Sequence, residues 1–360
     1  MRKLVTDGEG PVTKNDNAFE LSSFFIPNGE SFFAVVSSYD DVLAYIVKKE
    51  GYKAGDTLRL ILPFLKAYGA TDRAVEEYSR KNILLMPGAK EVLRLLEEIS
   101  MPVYMISTSY EPYVKAVCEA LGFSLKNARF TKLTLDGYAL GNGEAERLKE
   151  LSKEISRMPP IKIPPSASSI EDFPEEEKRK IARLDQIFWE ELPSMEAYRM
   201  VEEINPVGGT EKANALKEIL DETGNAPSDI IYVGDSITDV QAMRLVRGGG
   251  GLSVSFNGNV YALREAEVAV IAHHALPTAI ISELFFKEGK EAAVKLAKNW
   301  GRKAVNELPL NKNVKKAWLK LEGKEQIKLS EVKKENLTEL VRESVACRKK
   351  VRGERIGELG

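Results

Sequence analysis

Four short clusters carry the residue types that chemistry needs. Asp7-Gly8-Glu9-Gly10-Pro11 puts two carboxylates two residues apart on a glycine-rich turn, and Gly234-Asp235-Ser236-Ile237-Thr238-Asp239 puts two more four apart. Ser107-Thr108-Ser109 supplies hydroxyls and backbone N–H groups suited to a phosphate, and Gly208-Gly209-Thr210-Glu211-Lys212 supplies a lysine. Taken singly, each reads as well as a turn or a helix cap. Lys212 is the least ordinary: Thr210 reads as a cap, and a cation in the first helical turn opposes the helix dipole by a few tenths of a kcal/mol or more. The only histidines are the adjacent His273 and His274, too little material for a Ser-His-Asp triad, so acid–base work falls to carboxylates or lysine.

The elements around these clusters bring them together. Short β-branched runs at residues 3–6, 103–106, 230–233, 252–256 and 268–272 read as buried parallel strands. Helical periodicity at 89–99, 113–121 and 213–220 lies between them, so the expected fold is α/β, a Rossmann-like parallel sheet of βαβ units. Acid, hydroxyl, lysine and acid then all fall at the ligand-binding edge, outside the carboxyl ends of the strands. Carboxylates crowded there repel unless lysine and a hard divalent cation offset them, and an all-oxygen donor set points to Mg2+. That is a phosphoryl-transfer arrangement.

This set resembles the haloacid dehalogenase (HAD) superfamily, whose four motifs it follows in order and spacing over residues 1–13, 87–142 and 205–280. It is most similar to phosphoserine phosphatase-like members, through Leu252-Ser253-Val254-Ser255-Phe256-Asn257-Gly258-Asn259, Ala266-Glu267-Val268-Ala269 and a hairpin-like segment at 130–140. Asp7-Gly8-Glu9-Gly10-Pro11 with Asn15-Asp16-Asn17-Ala18-Phe19 also resembles archaeal members found beside energy-converting hydrogenases. The resemblance implies Asp7 as nucleophile, Glu9 as acid and base, Ser107 and Thr108 on the phosphoryl group, and Lys212 neutralising it. It implies Mg2+ on Asp7, Asp235 and the Glu9 carbonyl, with Asp239 supporting the metal through water or Lys212. The departure is Glu9, where most phosphatases of the family carry aspartate. The extra methylene moves the carboxyl by about a bond length, a shift of the size that alters rates.

The core accounts for residues 1–13, 87–142 and 205–282. Residues 14–86 read as a helical cap, with periodic patterns at 41–49, 58–68 and 73–81. Residues 143–204 read as a second, mostly helical insertion with a Pro-rich, semi-rigid connector at 159–174. Residues 283–360 read as a basic helical extension anchored by Trp300 and Trp318. The net charge of −2 hides an asymmetry: from Ile281 onward 20 Lys and Arg face 12 Glu, a net of +8, leaving 32 against 42, a net of −10, before it. Two distant cysteines, Cys118 and Cys347, exclude a disulfide framework. The absence of a long apolar run and the early Asp7 suggest a cytoplasmic protein without a membrane partner. The expected activity is Mg2+-dependent hydrolysis of a small phosphorylated metabolite. The rivals are phosphotransfer to an alcohol, or a non-catalytic regulatory subunit of an archaeal complex docking an acidic protein, and less readily nucleic acid, through the basic extension. Weaker signals read blandly: His273-His274 as a surface turn, residues 248–251 as a helix stop, Phe24, Phe25, Phe32 and Phe33 as insertion core, and Lys48, Lys49 and Arg59 as a solvated face.

Overall fold

The computed structural model describes residues 1–164, 167–321, 323 and 326–357. Seven strands form one sheet: β1 (Lys3–Thr6), β2 (Val103–Tyr110), β3 (Ala128–Thr131), β4 (Ile230–Gly234), β5 (Leu252–Phe256), β6 (Val268–Ala272) and β7 (Ile327–Glu331). Their order is β3-β2-β1-β4-β5-β6-β7, parallel throughout except for β7, which runs antiparallel to β6. The result is a Rossmann-like α/β fold. β1, β4 and β5 are buried along their whole length, which is why they read as continuous apolar runs and not as alternating ones.

Helices cover both faces. One face packs on Ala89–Glu98, Glu111–Leu121 and Leu276–Glu288 around Leu95, Val117 and Ile281; the other packs on Thr210–Thr223 and Val240–Gly248 around Leu216 and Met243. The chain leaves β1 for β2 on one side and later returns to β4 on the other. β1 is therefore the switch point, and the crevice beyond its carboxyl end is where such sheets bind ligands.

The insertions share a core. Helices Asn17–Phe25, Gly29–Asp41 and Thr57–Ala67 of the first pack with Glu144–Ser156 and Glu175–Gln186 of the second around Phe32, Phe64, Leu148 and Phe188. The Pro-rich segment, expected as a semi-rigid connector, packs into this shared core. Ile161 and Phe173 are buried, and the Ile161 N–H donates to Ser38 Oγ at 2.9 Å; Pro165 and Ser166 lie outside the described residues. Arg59 is not a solvated charge either, because it pairs with Asp56 at 2.6 Å and donates to the Val201 carbonyl across the two insertions. Phe32 and Phe33 are core, whereas Phe24 is 61% exposed.

Two further expectations need correction. Residues 130–140 form no hairpin: β3 ends at Thr131, and the chain continues without a returning strand. The extension after 283 is not all helical, since β7 extends the sheet there, and Val314, Trp318 and Leu329 enter the principal core. Trp300 and Trp318 do anchor it, their rings 5.5 Å apart and edge-on. Cys118 and Cys347 are buried free thiols. Among the described residues no helix is long and apolar enough to cross a membrane.

Candidate active site

The register of the central strands assembles the site. Thr6 of β1 lies beside Met105 of β2 and Val233 of β4, so the residues that follow those strands emerge side by side. Asp7 donates its backbone N–H to the Val233 carbonyl at 2.8 Å, continuing the ladder by one bond, and its Oδ1 accepts the Gly8 N–H at 2.6 Å. The turn then folds back on itself, with the N–H groups of Val12 and Thr13 on the Gly8 carbonyl and that of Gly10 on the Thr13 carbonyl. Gly10 is required here, because φ is +89° and a Cβ would stand 2.1 Å from Asp235 Oδ2.

Behind Asp7 lies a buried chain of charges. Lys212 Nζ is 2.8 Å from Asp7 Oδ2 and 2.7 Å from Asp239 Oδ1, with no exposed side-chain surface. Asp239 Oδ1 also accepts the Tyr232 hydroxyl at 2.8 Å, while Oδ2 accepts the N–H groups of Asp235 and Ser236 at 3.0 and 3.1 Å. Both oxygens of Asp239 are thus engaged, which fits it to orient Lys212. Ser236 caps the turn Ile237–Asp239 in a reciprocal box with Asp239, so the capping reading and the positioning reading hold together. Lys212 does sit in the first turn of Thr210–Thr223, but the cap is Gly209 with no side-chain cap, not Thr210. Its reason for being there is the two carboxylates.

Ser107, Thr108 and Ser109 belong to the irregular end of β2, where the pairing register with β3 shifts. The next helix starts only at Glu111, so they are held by strand and not by a helix N-terminus. Ser107 is buried against Gly8 and accepts the Ser109 N–H at 3.2 Å. Thr108 Oγ1 is buried and has no hydrogen-bond partner among the described residues. Thr108 and Ser109 line a cavity of about 100 Å³ together with Asp7, Glu9 and Asp235; Ser107, Lys212 and Asp239 stand behind its wall. The first insertion closes the cavity with residues that include Asp16, Phe33, Asp41 and Thr57. His273 and His274 lie elsewhere, half-buried in the turn after β6.

Burial, then the Asp239 charge, raises the Asp7 carboxyl to about 8 against the opposing pull of Lys212. Burial alone lowers Lys212, but Asp239 and Asp7 outweigh it and hold the ammonium charged. Glu9 is pushed well above the usual carboxylate range, first by burial and then by the charge of Asp16, and its Oε1 accepts the Asn17 N–H at 2.7 Å. Asp7, Asp235 and Asp239 each offer an oxygen within 4.8 Å of the others. A buried all-oxygen cluster of this kind is the donor set that a hard divalent cation such as Mg2+ takes.

Two residues of the site have no local mark in the sequence. Arg348 and Arg352, on the helix Leu337–Arg352, both reach Asp235 Oδ2, the latter at 3.1 Å. Arg352 also donates through Nε to the Lys14 carbonyl at 3.1 Å and through Nη2 to the Asn15 carbonyl. Their spacing of four puts both on one helix face, but nothing near them in the chain indicates what that face meets.

No protein-family model matches the chain, and no curated protein does. Among solved structures it is similar over its whole length to gene product AF1437 from Archaeoglobus fulgidus, with 29% identity, a TM-score of 0.79, and 100% of this chain and 99% of that one covered. A phosphoserine phosphatase in apo form aligns at 12% identity and a TM-score of 0.42, over 74% of this chain and 92% of that one. A phospho-aspartyl intermediate analogue of phosphoserine phosphatase aligns at 15% and 0.40, over 74% and 92%. The Archaeoglobus protein shares this chain's architecture from end to end.

Proposed function

We propose that the chain is a HAD-type phosphomonoester hydrolase that works through an aspartyl-phosphate on Asp7. The observation that carries this reading is the placement of Asp7 at the switch point of the sheet, on a cavity wall, with Lys212 at 2.8 Å behind it. The lysine neutralises the carboxylate and fixes its direction, and Asp239 fixes the lysine.

In the first step an Asp7 oxygen attacks phosphorus and the ester P–O bond breaks. Glu9 gives its proton to the departing alkoxide, a task suited to a carboxyl that burial keeps protonated. In the second step water attacks the phosphoryl phosphorus, Glu9 takes the proton, and the Asp7 carboxylate is released with inorganic phosphate. Thr108 Oγ1, buried without a partner among the described residues and on the cavity wall, would donate to a phosphoryl oxygen, and Ser107, which packs behind that wall against Gly8, would assist. Mg2+, held by Asp7, Asp235 and the Glu9 carbonyl, would offset the charge that gathers on the phosphoryl oxygens. The cap, residues 14–86, would exclude water from the first step and admit it for the second.

The test is a panel of small phosphate esters assayed with and without Mg2+. At least one should be hydrolysed, and Asp7→Asn should reduce that turnover to background. If nothing is hydrolysed, or Asp7→Asn is as active as wild type, the reading is wrong.

A further inference from the structure

The helix Leu337–Arg352 is amphipathic in an unusual way. Its buried positions Leu340, Ser344, Cys347 and Arg348 follow helical spacing, so the inner stripe that elsewhere would be apolar ends in a guanidinium. Ser344 pins the helix by donating to the Gly258 carbonyl at 2.7 Å. One turn on, Arg348 Nη1 donates to the Asp235 carboxylate and, at 3.3 Å, to the Asp235 carbonyl. The side chains of Arg348 and Asp235 are only 4% and 3% exposed, so this ion pair is almost wholly removed from water. Arg352 is tied to the backbone of Lys14 and Asn15, which joins the end of the extension to the nucleophile turn.

Three cationic side chains already stand at the centre of the site: Lys212 on Asp7 and Asp239, and Arg348 and Arg352 on Asp235. A divalent cation beside Asp235 would add two positive charges next to two guanidinium groups that cannot deprotonate, in a setting where water screens little. Mg2+ also demands close, nearly octahedral oxygen ligands, and Asp235 Oδ2 is already committed to the arginines. Cation and guanidinium therefore compete for Oδ2 of this carboxylate.

We propose that Arg348 is a built-in competitor of the divalent cation: it holds Asp235 in the cation-free protein and must withdraw, with the C-terminal helix, before the site is loaded. This rests on the phosphatase reading for its purpose, but cation binding can be measured without substrate, so the two can fail separately. Thermodynamic linkage makes the effect reciprocal: whatever loosens the helix must strengthen cation binding, and cation binding must loosen the helix.

Two measurements on the full chain decide it. Mn2+ binding is followed by electron paramagnetic resonance for wild type, Arg348→Gln and Asp235→Asn, without any ester present. Arg348→Gln should bind Mn2+ at least about tenfold more tightly than wild type, and Asp235→Asn should bind it more weakly. Equal or weaker binding by Arg348→Gln overturns the proposal, as does an unaffected Asp235→Asn. In case the arginine variant misfolds, hydrogen exchange of wild type is compared with and without saturating Mn2+. Amides of residues 337–352 should exchange faster with Mn2+; unchanged or slower exchange overturns the proposal.

Discussion

At the scale of single residues, the site is governed by how buried charge is offset. A carboxylate taken out of water is tolerated when it is paired and hydrogen-bonded, and otherwise it holds a proton. Asp239 shows the first outcome, with four donors within 3.1 Å: Lys212, Tyr232 and the N–H groups of Asp235 and Ser236. Glu20 shows the second, raised from 4.5 to about 7 by burial despite two bonds from Asn15 Nδ2. Asp40 is raised to about 6, also by burial. Both groups hold a proton in the folded chain that the unfolded chain releases near pH 4. Their contribution to stability is therefore complete below that pH and is lost as the pH rises toward 7. Thermal unfolding in metal-free buffer should show a midpoint that falls between pH 4.5 and 7. Glu20→Gln, which keeps an oxygen for Asn15, should flatten that fall by up to about 1.4 kcal/mol per pH unit.

At the scale of elements, strand ends do the positioning and short turns set the precision. The turn after β1 brings Asp7 and Asp235 close only because Gly10 has no side chain. Gly10→Ala would force its Cβ against Asp235 Oδ2 at an unfavourable φ of +89°. It should cost about 1–3 kcal/mol in urea unfolding and most of any hydrolytic activity, a larger loss than the stability change alone explains. The strand-end logic was legible beforehand: five β-branched runs, three chemical clusters at strand ends and a fourth, with Lys212, at the start of a helix were all visible in the chain. β3 and β7 were not, because Ala128-Arg129-Phe130-Thr131 and Ile327-Lys328-Leu329-Ser330-Glu331 are short, mixed in polarity and at the sheet edges. An edge strand needs fewer apolar residues than a central one, so its signal is weak.

At the scale of the whole molecule, the extension after 283 is part of the fold. It completes the sheet through β7, fills the principal core with Trp318 and Leu329, and delivers two arginines to the site. Deletion of residues 283–360 should therefore leave an insoluble or largely unfolded chain, read by circular dichroism and solubility. A soluble fragment with native unfolding behaviour would contradict this account of the core. The two insertions, far apart in sequence, act as one body through Phe64 and Phe188, whose rings meet edge-on at 6.1 Å. The second supplies none of the described residues that line the cavity, so it supports the first from behind.

What the sequence determined by itself was local: which segments are strands or helices, and which reactive residues follow them within a turn. Periodicity and residue type act over a few positions, and Asp7, Ser107, Lys212 and Asp235 each lie within such a reach of their own strand or helix. What only the tertiary structure decided was which distant parts meet. Asp235 and Arg348 are separated by 113 residues. Arg348 sits in a segment that reads only as a basic helical extension, and only the packing of its helix across the β6 side of the sheet turns the inner face toward the site. Complementarity between surfaces remote in the chain leaves no pattern in either one alone, and that is why the +8 segment was legible as a charge but not as part of the candidate site.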